Sequence, residues 1–227
     1  MSIPGSSRLR FSLPNGNLLP QEEMLEVGKQ KKSLSIGIPK EDHSLESRLP
    51  LTPEAVEILV DHGHDVRIER EAGQGANYHD TDFSEKGAMI VDEKEEIFKA
   101  DIVLKVAPPT MEEVELMKAH QLLISSLHLT LQSKELITRL IEKKVTTIAF
   151  ERIKDNNSCY PVTRSMSSIA GTTSVLIAAE YLSNNHGGKG VMLGGVSGIT
   201  PTEVVILGAG TAAEYAVRAA MGLGAFV

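Results

Sequence analysis

Val204-Val-Ile-Leu-Gly-Ala-Gly-Thr-Ala-Ala213 is the stretch that decides how this chain is read. Val204–Leu207 is an apolar run of the kind found in buried parallel strands. Gly208, Gly210 and Ala213 follow at G-x-G-x-x-A spacing, and an Ala-rich, proline-free segment from Thr211 to Leu223 reads as a helix. Gly224 ends that helix, and Ala225-Phe226-Val227 opens a second strand. Each glycine has a physical task. Gly208 permits the tight turn out of the strand, Gly210 lets a pyrophosphate approach the backbone, and Ala213 lets the helix pack close to the sheet. The helix N-terminus then presents free N–H groups and a partial positive charge to phosphate. The pattern implies a dinucleotide site, since strand, turn and helix all stand in the required order. The competing reading is an ordinary strand–helix turn that uses glycine for backbone reasons. The fingerprint also calls for an Asp or Glu roughly 20 residues on, at the end of the next strand. The sequence stops at Val227, so the expectation is a front portion of a longer polypeptide, with an incomplete nucleotide domain.

Working outward, 227 residues allow one large domain or two modest ones. Hydrophobic residues at 41% and charged residues at 23% are ordinary globular usage. A net charge of −7 argues against a nucleic-acid partner. The single cysteine, Cys159, cannot form an internal disulfide and fits a reducing compartment. No apolar run is long enough for a membrane span, and no signal-peptide pattern opens the chain. A cytoplasmic location is the expectation.

Upstream, strand-like and helix-like patterns alternate. Residues 1–20 read as a tail and Gln21–Lys32 as a short amphipathic docking helix. Strands are expected at Ser33–Ile38, Asp65–Glu69, Met89–Val91, Ile102–Val106, Leu122–Ser125 and Thr146–Phe150. Helices are expected after the Thr52-Pro53-Glu54 start signal, around Phe83–Gly87, Lys94–Phe98, Met111–Met117 and Ser133–Glu142. A long helix is expected over Ser165–Leu182, and a glycine-rich linker over Gly187–Gly198. This is the signature of an α/β layered sheet.

Three residues stand out chemically. Arg48 lies in a polar loop before a helix, Lys105 sits in the apolar run Ile-Val-Leu-Lys-Val, and His128 follows an apolar strand. A charge inside such a run is costly unless paired. Ligands of open α/β sheets gather at the carboxyl ends of strands, where all three fall. Each also has a plainer reading: a lysine that snorkels to solvent, a structural histidine, a surface arginine. His62 and His64 flank Gly63 without further Cys or His at ligand spacing, so no metal site is expected.

From about Ile36 onward the chain resembles the alanine dehydrogenase family, shared with the N-terminal part of the transhydrogenase α subunit. The resemblance is carried by Ile36-Gly-Ile-Pro-Lys-Glu41, Glu46-Ser-Arg-Leu-Pro-Leu-Thr-Pro53, Gly63-His-Asp-Val66, Ala100-Asp-Ile-Val-Leu-Lys-Val106 and Leu127-His-Leu129. Ile148-Ala-Phe-Glu151, Met166-Ser-Ser-Ile-Ala-Gly171, Gly194-Gly-Val-Ser-Gly198 and the fingerprint at Gly208 extend it. It implies that Arg48 clamps a substrate carboxylate, that Lys105 binds the carboxylate or carbonyl oxygen, and that His128 is the general acid/base. It implies that Ser167, Thr211 and Ala212, with Gly208, Gly210 and Ala213, bind an NAD cofactor. Ser168 and Thr172 stand where many members have Glu and Arg.

The expected architecture is therefore α/β: a Rossmann-like (flavodoxin-like) substrate-binding domain, then the first strand–helix unit of a Rossmann NAD-binding domain. The expected divisions are a tail and docking helix at 1–33, the substrate domain at 34–164, and a linker helix with an incomplete nucleotide domain at 165–227. The expected reaction is NAD-dependent interconversion of L-alanine with pyruvate and ammonium, by a homo-oligomer binding neither nucleic acid nor membrane. The chain alone is expected to be inactive. A transhydrogenase-like NAD(H)-binding domain is the alternative, with saccharopine-type dehydrogenases and an inactive NAD-binding module behind it.

Overall fold

The structure, a computed structural model, describes residues 33–227. The expected tail and docking helix lie outside the described residues. Six strands build one sheet: β1 (Ser35–Ile38), β2 (Asp65–Glu69), β3 (Met89–Val91), β4 (Ile102–Leu104), β5 (Leu122–Ser125) and β6 (Thr146–Ala149). All pairings are parallel, and the order is β3-β2-β1-β4-β5-β6. This 3-2-1-4-5-6 order is the Rossmann one of the two common doubly wound arrangements. The chain runs outward from β1 to β3, then returns to lay β4 against the other side of β1. A crevice therefore opens between the carboxyl ends of β1 and β4.

The connecting helices are α1 (Pro53–Asp61), α2 (Asp80–Ser84), α3 (Lys94–Ile97), α4 (Met111–Leu116) and α5 (Lys134–Glu142). Their starts are chemically marked. The Thr52, Thr110 and Ser133 hydroxyls accept from N–H groups of the first turns of α1, α4 and α5. Thr110 and Glu113 complete a reciprocal capping box. Two apolar clusters cover the sheet. Val56, Phe83, Ile38 and Ile68 form one, and Ile97, Phe98, Val114, Leu123, Leu136 and Leu140 the other. β4 serves both, since Val103 belongs to the second cluster and Leu104 packs against the first, as alternation along a strand requires.

Three local expectations are corrected. The long helix, α6, spans Pro161–Leu182 and so begins earlier than Ser165. Proline suits its first turn, where no N–H partner is needed. Its apolar residues Ile169, Leu176 and Ile177 are exposed, and only Gly171 and Val175 are buried. The fingerprint run Val204–Leu207 forms no named strand. A single parallel bridge joins Glu203 to Phe226, so the expected strand over Ala225–Val227 is also reduced to that bridge. The segment is extended, with Val204 and Ile206 packed on the cluster of Val175, Leu193, Ala216 and Ala220, while Val205 and Leu207 face solvent. Among the described residues it has no neighbour on its second edge, so no ladder propagates. The helix after it, α7 (Thr211–Gly222), forms as expected and is stopped by Gly224 at φ +83°.

Candidate functional site

The crevice between β1 and β4 holds a cavity of about 450 Å³, and Arg48, Lys105 and His128 all line it. Their positions follow from the topology. Lys105 is the residue after β4, and its N–H still bonds to Ile124 O of β5. His128 lies just past β5, and Arg48 lies in the loop from β1 to α1.

Lys105 does not snorkel. Its side chain is 3% exposed, and Nζ lies 2.7 Å from Glu113 Oε2 and 3.4 Å from Glu41 Oε2. Glu41 reaches across from the end of β1. Its Oε1 accepts from Val106 N at 2.6 Å and Ala107 N at 3.2 Å, so one carboxylate fixes both the backbone turn and the ammonium. Glu113 accepts from Thr110 N at 2.9 Å, and its Oε1 lies 2.9 Å from Lys94 Nζ. Burial would push the Glu113 carboxyl up. The charge of Lys105 and hydrogen bonds from Lys105, Thr110 and Lys94 outweigh this and hold it below its ordinary value. Burial pulls Lys94 down, but its bond to Glu113 leaves it raised.

Arg48 is more exposed. Its Nε donates to Glu46 Oε1 at 2.8 Å and one terminal nitrogen donates to Glu46 Oε2 at 2.6 Å. That bond holds the Glu46 carboxyl below its ordinary value, against desolvation. The other terminal nitrogen approaches Met166 Sδ at 3.3 Å. Arg48 also borders an apolar pocket of about 300 Å³ that includes Leu51, Leu104, Phe150, Val162 and Met166. A carboxylate bound at Arg48 would thus have polar groups on one side and apolar surface on the other.

His128 adopts φ +42°, a conformation uncommon outside glycine. Its N–H donates to Glu151 Oε1 at 3.0 Å, and its Nε2 lies 2.7 Å from Ser126 Oγ. Glu151 Oε2 is buried without a hydrogen-bond partner among the described residues. Glu41, Glu113 and Ser126 were absent from the sequence-derived candidates. Glu41 reaches Val106 across 65 residues, whereas Ser126 lies two residues from His128 and Glu113 three from Thr110, so the last two had local spacing as a clue.

The nucleotide candidates gather elsewhere, where α6 meets α7. Ser167 and Thr211 line one pocket of about 290 Å³ with Cys159, Tyr160, Thr163 and Arg164. Gly208, Gly210, Ala212 and Ala213 do not line it. The glycines nevertheless fit a phosphate cradle. Gly208 holds φ +142°, which glycine alone adopts readily, and a Cβ on Gly210 would meet nothing within 4 Å. That open space lies at the N-cap of α7, whose first-turn N–H groups face it. Ala212 instead packs against α6, where a Cβ on Gly171 would fall 2.1 Å from its carbonyl oxygen.

Among the described residues no group of three or more His, Cys, Asp or Glu is arranged to hold a metal, and no helix is long and apolar enough to cross a membrane.

Residues 37–170 match the family model described as alanine dehydrogenase/PNT, N-terminal domain, and residues 174–227 match its C-terminal domain counterpart. The chain belongs to the alanine dehydrogenase/PNT family. It is 42% identical over 193 residues to an alanine dehydrogenase of Staphylococcus saprophyticus, covering 85% of this chain and 52% of that protein. The same identity and coverage hold for an alanine dehydrogenase of Methanococcus maripaludis. Among solved structures, an L-alanine dehydrogenase superposes with TM-score 0.79 at 41% identity, over 85% of this chain and 53% of the other. A transhydrogenase from Sinorhizobium meliloti superposes with TM-score 0.72 at 25% identity, over 84% of this chain and 54% of the other. The chain thus spans about half the length of the curated relatives it matches.

Proposed function

We propose that this chain carries the substrate pocket and the opening of the NAD site of an alanine dehydrogenase, which interconverts L-alanine with pyruvate and ammonium. Residues 34–164 act as the substrate-binding part and 165–227 as the linker helix and start of the nucleotide-binding part. The observation that carries the reading is the convergence of Arg48, Lys105 and His128 on one cavity at the sheet's switch crevice. Bound NAD supplies a hydride acceptor, and NADH a hydride donor in the reverse direction. The chain's own groups do the rest. Arg48 holds the substrate carboxylate through its remaining N–H donors. Lys105 orients the carboxylate or carbonyl oxygen. His128 takes the proton of the water that attacks the imine carbon and returns one to the leaving nitrogen, releasing ammonium and pyruvate. Ser167 and Thr211, with the backbone from Gly208 to Ala213, bind the cofactor phosphates. Assembly as a homo-oligomer in the cytoplasm completes the reading.

A transhydrogenase-like role uses the same sheet and fingerprint, but hydride passage between two nucleotides needs neither a carboxylate clamp nor a proton shuttle. Pyruvate binding separates the two. Titration calorimetry should show pyruvate binding to the chain, weakened about tenfold in Arg48→Lys because the planar fork is lost while the charge is kept. NADH binding should be unchanged in that variant. Equal pyruvate affinity in the two proteins would remove Arg48 as the clamp.

A further inference from the structure

The cavity that should take a carboxylic acid is not a cationic cavity. Four cations line it, Lys40, Arg48, Lys94 and Lys105, and four carboxylates line it too, Glu41, Asp42, Glu46 and Glu113. Lys40 pairs with Glu71, outside the lining, and the other three cations pair within it. Arg48 is held by Glu46, Lys94 by Glu113, and Lys105 by Glu113 and Glu41 together. Two of these carboxylates are as deeply buried as the lysine they face, each with a side chain 3% exposed. A buried carboxylate is costly, and each also accepts from backbone N–H groups, Glu41 from Val106 and Ala107 and Glu113 from Thr110. Both sit where they constrain one ammonium group. Of the three N–H donors of Lys105, one bonds to Glu113 and one points toward Glu41, which leaves a single donor for a ligand.

We infer that Glu41 and Glu113 are positioning residues for Lys105, and that they trade anion affinity for direction. The proposal rests on the pocket binding a 2-oxo acid, as above. With both carboxylates present the cavity is close to neutral, so a bare carboxylate gains little from entering. A ligand gains only if it also places an oxygen on the one free donor of Lys105. The arrangement therefore selects a carboxylate with an adjacent carbonyl over a carboxylate alone. This is selectivity achieved by penalising the wrong ligand.

The test uses the 227-residue chain, titrated separately with pyruvate and with acetate by calorimetry or protein NMR. Glu113→Gln is the first variant. The amide oxygen can still accept from Thr110 N and Lys105, and Lys94, which is 37% exposed, can be solvated. Removing one unit of negative charge beside the ligand should tighten both anions by about tenfold and steepen the loss of binding with salt. The preference for pyruvate over acetate should shrink at the same time. A residue that merely supports the fold would do the opposite and weaken both ligands. Glu41→Gln carries the same test if Glu113→Gln does not fold. Wild-type binding of pyruvate with unchanged or weaker binding and unchanged selectivity in the folded variant would overturn the positioning role and leave the pocket reading intact. Failure of the wild type to bind pyruvate at tens of millimolar would overturn the pocket reading, and this inference with it.

Discussion

Ile102-Val-Leu104 and Val204-Val-Ile-Leu207 are nearly the same words in the sequence and have opposite fates in the structure. The first is a central strand between β1 and β5, with Val103 fully buried. The second makes one bridge, and Val205 and Leu207 are 84% and 95% exposed. The difference lies in the neighbours. An apolar run of this kind needs partners on both edges and cover on both faces. β4 has both. The fingerprint run has one edge against Phe226 and one face against the α6–α7 cluster. The two regions thus divide the labour. The six-stranded sheet holds a buried lysine and its two carboxylates in place, while the fingerprint segment presents its glycines and its apolar side to whatever meets them.

The largest expected effect tests that division directly. Leu123→Ala, in the strand beside β4, should destabilise the protein by about 2–5 kcal/mol in urea unfolding, since Leu123 is fully buried in the larger core cluster. Leu207→Ser should change stability by no more than about 0.5 kcal/mol. Exposed apolar edges favour association, so Leu207→Ser should also reduce self-association measured by light scattering. A large stability loss at Leu207 would show that the run is covered in solution.

The next effect concerns the joint on which α7 rests. Glycine-to-alanine changes in helices ordinarily stabilise, by up to about 1 kcal/mol. At Gly171 the sign should reverse. A Cβ there would lie 2.1 Å from the backbone oxygen of Ala212, so α6 and α7 must separate. Gly171→Ala should cost about 1–3 kcal/mol, read as faster hydrogen exchange in α7 with β1, β4 and β5 still protected. Gly222→Ala is the control, because a Cβ at that position meets nothing within 4 Å. A stabilising Gly171→Ala would mean the helices are not held at this distance.

How legible all this was in sequence depends on the range of the forces involved. β2, β3 and β5 fall on the expected residues because alternation and apolar runs are local signals. So does the start of α1, where Thr52 caps as its side chain suggests, whereas α5 begins one residue after Ser133, which serves as its cap. Val204–Leu207 misled because its local signal is that of a strand, while strand formation depends on partners the local signal does not contain. Gly171 carries no local sign of its role, since the contact that requires it is with Ala212, distant in sequence. Lys105 was conspicuous as a charge in an apolar run, yet Glu41 and Glu113 were not. Glu41 lies in a charged loop and Glu113 in an acidic first turn, where carboxylates are commonplace. The pairing of β1 with β4 brings Glu41 to the lysine, and the turn from β4 into α4 brings Glu113.

The smallest expected effect sharpens the comparison through acid. The Glu113 carboxyl is held below its ordinary value of 4.5 because Lys105, Thr110 and Lys94 outweigh the cost of burying it. Depression of a carboxyl has a definite sign: the folded protein binds fewer protons there than the unfolded chain. The resulting stabilisation is fully present above about pH 4.5 and drains away as the pH falls through the lower, folded value. Above that window Glu113 contributes no slope. Glu214, in the fingerprint helix, also has a cationic partner, Arg218 at 2.5 Å, but both side chains are about half or more exposed. Such an i, i+4 pair is worth roughly 0.3–0.5 kcal/mol and is screened by salt. Urea midpoints of the wild type and Glu113→Gln, followed from pH 7 down to pH 3, should therefore separate, with Glu214→Gln measured at pH 7 as the surface comparison. Glu113→Gln should flatten the acid limb of the stability curve, because the titrating group is gone. Glu214→Gln should move the midpoint at pH 7 by no more than that small amount. Parallel curves for the wild type and Glu113→Gln would show that the carboxylate at Glu113 is no better paired than one on the surface, and the contrast between the two regions would lose its electrostatic half.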